Sequence, residues 1–169
     1  TALELACDTM KKCIAALDAE GLSHIRMCPE TMGKLNQLGT LTEVLALCKL
    51  DDRILPCIDF GHLNARTYGG VDGPGAYAKI FDEMENAIGI DRARLFHSHF
   101  SKIAYTVPGG EKVHLTFEDT EFGPDFEPLA ELVAKKNGTP TFICESAGTQ
   151  AEDAGTMKRM YLTAKGGQS

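Results

Sequence analysis

Four short apolar runs, SHIRMCPE, RILPCIDF, ARLFHSHF and PTFICES, each followed by a helix-forming stretch, restrict this chain more than any other feature. Nearly continuous apolar strands that alternate with helices belong in a parallel sheet, with the helices as right-handed crossovers covering its face. The helical stretches carry their own signals. TALELACDTMKKCIAALDAEGL places Leu3, Ala6, Cys7, Met10, Ile14 and Leu17 at helical spacing. In TLTEVLALCKL, Thr40 followed by Glu43 has the form of a capping box. AYAKIFDEMENAIG sets Ala78, Phe81, Met84 and Ile88 on one side and closes at Gly89, and FEPLAELVAKKN closes at Gly138. A last helix is expected from about Glu152 to Ala164. The Gly-rich GHLNARTYGGVDGPG and the polar stretch from Ser101 to about Pro124 read as long loops.

No linker or low-complexity tract divides the 169 residues, so residues 1–169 are expected to form one α/β domain. The chain opens inside a helical pattern without an initiating Met, which reads as entry partway through a larger fold. Its 24 acidic against 17 basic residues give a formal charge of -7 and no general attraction for a polyanion. The six cysteines form no C-x-x-C pair, which argues against a disulfide framework or an all-cysteine zinc site and for free buried thiols in a reducing, cytoplasmic setting. No apolar run approaches the roughly 20 residues that span a bilayer, so no membrane association is expected.

In parallel α/β folds ligands gather beyond the carboxyl ends of the strands. Here those ends read Glu30, Asp59, His97 with His99, and Glu145. The two-residue period of a strand puts Cys28 on the face of Glu30, Cys57 on that of Asp59, Ile143 on that of Glu145, and His97 on that of His99. Any one carboxylate there could simply cap the next helix. Several of them converging at one rim would repel one another without a cation, and a divalent metal removes that conflict. Mixed carboxylate and imidazole donors suit zinc, manganese or iron. Glu30 and Glu145 are the candidates for acid and base work.

The blocks PETMG, IDFGH, FHSHFSK, EKVHL and ICES, in that order, make the chain resemble the xylose isomerase-like TIM barrels that include endonuclease IV. The resemblance implies a parallel (β/α) half-barrel corresponding to strands 5–8 of a TIM barrel, the carboxyl-terminal half. It also implies that Glu30 bridges two zinc ions, that Asp59, His97 and Glu145 hold the central one, and that His62 and His114 hold a third. Glu145 would further position the attacking hydroxide. Where the family has a D-x-H pair, this chain has Glu111-Lys112-Val113-His114, with Glu111 as a stand-in.

Three functions follow from the resemblance. The first is a zinc-dependent apurinic/apyrimidinic endonuclease with two or three zinc ions in the intact barrel, acting on DNA with abasic sites; this chain would be a weakly active part of it. Arg66, Lys102 and Lys112 are its candidate phosphate contacts. The second is a sugar isomerase or epimerase holding one manganese or cobalt through Glu30, Asp59, His97 and Glu145, with a ketose as substrate. The third is a non-catalytic half-barrel. Exposed sheet edges would lead the chain to pair with a second copy as a homodimer, or with the missing half-barrel.

Overall fold

A computed structural model describes residues 1–167. Helix α1 (Ala2–Ala19) begins at a Thr1–Glu4 capping box, and α2 (Leu41–Cys48) at the Thr40–Glu43 box expected from the sequence. Strand β1 (Cys57–Asp59) leads directly into α3 (Phe60–Arg66), followed by α4 (Gly73–Ile88) and the single turn α5 (Ile90–Ala93). Strand β2 (His97–Phe100) precedes an antiparallel pair, β3 (Lys102–Thr106) and β4 (Gly110–Leu115). Helix α6 (Glu127–Lys135), strand β5 (Thr141–Cys144) and α7 (Gln150–Gly166) complete the order.

The parallel sheet runs β1-β2-β5, with Asp59 beside His99 and His99 beside Ile143. The SHIRMCPE run extends this sheet through parallel bridges at Met27–Ile54 and Glu30–Cys57 rather than as a full strand. Pro29 lies between those bridges, and without an N–H it can only accept, which it does from Cys57. The result is an open parallel sheet with helices, part of a TIM barrel, and among the described residues it does not close.

Both expected loops contain regular structure. GHLNARTYGGVDGPG is largely helix, because the Asp59 carboxylate accepts from the His62 N–H at 2.7 Å and starts α3 at once. The stretch after Ser101 folds into the β3–β4 hairpin, whose strands KIAYT and GEKVHL flank a turn at residues 107–109. Helix α6 stops at Lys135, ahead of Gly138, as Asn137 turns into the left-handed region at φ 53°.

The two faces of the sheet differ in kind. Along β2, Ser98 and Phe100 are buried toward the helices while His97 and His99 stand half-buried on the other side. Along β5, Thr141 and Ile143 are exposed on that same inner face. The core lies between sheet and helices, where Phe60, Phe81, Phe96, Phe100 and Phe126 pack with Phe142 and Tyr77, mostly edge to face. All six cysteines are free. Cys48 and Cys57 are buried, but Cys13 and Cys28 are exposed, so the expectation of buried thiols holds for only part of the set. No helix among the described residues is long and apolar enough to cross a membrane.

Candidate metal centre

Asp59 is both a cap and a candidate ligand. Its Oδ1 starts α3, while Oδ2 is buried without a hydrogen-bond partner and lies 3.4 Å from His62 Nδ1. A fully buried carboxylate oxygen left unpaired is costly. Burial pushes the Asp59 carboxyl up to about 6, although the His62 side chain and its N–H pull the other way.

Around this oxygen the strand ends converge. His99 Nδ1 lies 3.0 Å from Glu30 Oε1 and 3.3 Å from Glu145 Oε1. Donor atoms of Glu30, Asp59 and His99 lie within 4.8 Å of one another, a group that could hold a metal ion. The histidine that meets Glu30 and Glu145 is His99, while His97, which the resemblance implies as a ligand of the central ion, pairs with Cys57. The reason is register: Asp59 pairs with His99, and His97 sits one layer deeper beside Cys57. Burial and the neighbouring His99 hold the His97 ring below the ordinary histidine value.

A second group lies against the first. His62, Glu111 and His114 also bring donor atoms within 4.8 Å of one another. His62 Nε2 is 3.5 Å from Glu111 Oε2, and the His62 and His114 rings meet edge to face at 5.6 Å. In a regular strand, residues 111 and 114 would face opposite sides. The hairpin resolves this with a bulge: Tyr105 pairs with Glu111 and Ala104 with Val113, so Lys112 has no partner in the register. With that one residue set aside, Glu111 and His114 share a face, and Glu111 enters the site.

Two side chains join the groups. Glu145 directs Oε1 toward His99 and Oε2 toward His114, the latter at 3.9 Å. His62 Nδ1 lies 3.3 Å from Glu30 Oε1. Burial pulls the His62 imidazole down, but the hydrogen bond to Glu30, the charge of Asp59, the Thr31 carbonyl and Glu111 outweigh it and raise it to about 9. Burial likewise pushes Glu30 up, and its contacts with His62 and His99 hold it below its usual value. In the metal-free chain the His62 imidazolium therefore balances the surrounding carboxylates, a task that a bound divalent ion would take over.

The sequence matches the xylose isomerase-like TIM barrel description over residues 1–161. The chain belongs to that family. An uncharacterized protein of Methanocaldococcus jannaschii is 35% identical over 123 residues, 73% of this chain and 44% of that protein. A protein named probable endonuclease 4, from Geobacter sulfurreducens, is 28% identical over 106 residues, 60% of this chain and 35% of that protein. The chain thus spans less than half the length of these curated relatives.

Within this part of a xylose isomerase-like barrel, residues other than the metal-ligating ones hold the donors in place. Thr31, fully buried, accepts from the Asp59 N–H through Oγ1 at 2.9 Å, and its carbonyl meets His62 Nδ1 at 2.9 Å. That second contact assigns the Nδ1 proton to the carbonyl and leaves Nε2 as the ligand atom of the neutral ring, a common way to orient a metal-binding histidine. Ser101 Oγ performs a similar service at 2.8 Å from His114 Nδ1. Two glycines give the donors room. A Cβ on Gly33 would fall 2.6 Å from Glu111 Cβ, and one on Gly61 would fall 2.5 Å from the Ser101 carbonyl.

The candidate phosphate contacts separate clearly. Arg66 is occupied by the carbonyls of Met32, Lys34, Leu35 and Gln37, which fastens the loop after Glu30 to α3. Lys102 meets Asp125 and the Asp119 carbonyl. Lys112, the bulged residue, is exposed.

Thr31→Val keeps the shape of the side chain but leaves the buried Asp59 N–H without its acceptor. We expect a loss of about 1–3 kcal/mol in stability and about 10–100-fold in metal affinity, read by urea unfolding and by competition with a chromophoric chelator.

Proposed function

We propose that the chain forms part of a zinc-dependent phosphodiester hydrolase that cuts DNA at abasic sites. Glu30, Asp59, His99 and Glu145 would hold one ion, and His62, Glu111 and His114 a second. Bound zinc would supply hydroxide at neutral pH and offset the charge of a phosphate. Glu145, placed between the two groups, orients the attacking water. Exposed Lys112 meets the DNA backbone, which tempers a chain whose formal charge is -7. The likeness to the protein named probable endonuclease 4 supports this reading.

The observation that carries the proposal is the second group. A sugar isomerase or epimerase needs only one metal with two flanking glutamates, and Glu30 and Glu145 on either side of His99 could meet that need. It has no use for a bulge that turns Glu111 and His114 onto one face. The test is a duplex with a single abasic site, incubated with the purified full-length protein and zinc. Cleavage that falls at least about 100-fold in Glu145→Gln is expected, on the scale of removing one group that stabilises the transition state. An uncut duplex, with a ketose epimerised instead, would transfer the site to sugar chemistry.

A further inference from the structure

The inner face of the sheet carries donors below the carboxylate rim as well as at it. Cys57 lies two residues before Asp59 on the same face, and the register sets it beside His97 with His99 one step above. The Cys57 sulfur and one nitrogen from each histidine lie within 4.8 Å of one another. Cys57 is 2% exposed, while both rings are half-buried, so the group is reached from the open inner face through the imidazoles. Its donors are one sulfur and two nitrogens, against the oxygen-rich set of the rim. Ligand softness sorts ions between two such groups: thiolate and imidazole favour zinc, cobalt or cadmium, whereas carboxylates also accept harder ions.

We propose that Cys57, His97 and His99 form a further metal site for a thiophilic divalent ion, one layer beneath the rim and sharing His99 with it. Three protein donors leave a fourth position for water, the usual count for an open tetrahedral site. Binding forms a metal–sulfur bond, breaks the Cys57 S–H bond and releases that proton to solvent. This gives His97, which pairs with Cys57 in the register, a ligand role of its own. Because His99 belongs to both groups, occupancy of the lower site is linked to occupancy of the rim.

Cobalt(II) added to the full chain reads this site directly, since a cobalt–thiolate bond gives a near-ultraviolet charge-transfer band that oxygen and nitrogen ligands do not. The band is expected in the parent sequence, in Cys28→Ser, which removes the exposed neighbouring thiol, and in His114→Ala. Cys57→Ser should lose it while still binding cobalt at the rim. A parent protein without the band, or a band that survives Cys57→Ser, overturns the proposal. X-ray absorption of the parent protein loaded with less than one equivalent of cadmium needs no variant. One sulfur neighbour supports the site, and a shell of nitrogen and oxygen alone refutes it.

Discussion

Asp59→Asn is expected to abolish metal retention at the rim while leaving the metal-free fold at least as stable as the parent. The two halves of this expectation have different causes. Asn caps helices as well as Asp, so the amide oxygen keeps the His62 N–H that starts α3. The buried Oδ2, which no hydrogen bond satisfies, is the atom that changes, and removing its charge removes a desolvation cost. A direct ligand is lost, so affinity should fall by more than the roughly 10–100-fold that follows loss of an outer partner. Metal analysis after dialysis, set beside melting of the chelated proteins, reads both halves. A variant that keeps its metal would show that Oδ2 is no ligand, and one that melts well below the parent without metal would show that the charge is structural.

Phe60→Ala should produce a large loss of stability, about 3–5 kcal/mol for an aromatic side chain removed from a core. Phe60 is fully buried and packs against Tyr77, Phe96 and Phe100, which links α3, α4 and β2. The helical backbone tolerates Ala, so the cost arises from lost contact and the cavity left behind. Against the 5–15 kcal/mol that stabilises a typical domain, such a loss consumes much of the margin. Because Phe60 follows Asp59 and begins α3, metal binding should weaken in parallel. Urea unfolding measures the loss. A change below about 1 kcal/mol would mean that this aromatic cluster does not organise the fold.

These particulars show how far the sequence reaches. Local signals carried well: the Thr40–Glu43 box, three of the four apolar strands and the shared faces of Cys57 with Asp59 and His97 with His99 all follow from near neighbours along the chain, whereas SHIRMCPE, with Pro29 inside it, forms only bridges. Selecting His99 over His97 required the register of two strands about 40 residues apart, which neither strand states alone. Asp59 as cap and candidate ligand together could not be read from its position, since its two oxygens do different work. The hairpin had a readable sign, two β-prone runs around Val-Pro-Gly-Gly. The bulge at Lys112 had none. A three-residue spacing between Glu111 and His114 implies opposite faces, and only pairing with β3 reverses that. Thr31 and Ser101 were equally hidden, because short polar residues in loops become orienting groups only once their partners arrive.

The proposed hydrolase needs the second metal group that the hairpin bulge brings together beside the rim. Counting zinc per chain in the parent protein and in His114→Ala, after equilibrium dialysis, tests it most directly. The variant should hold one zinc fewer per chain than the parent, with the ion at Glu30, Asp59 and His99 retained. Equal zinc content in the two proteins would mean that His114 and its neighbours hold no second ion.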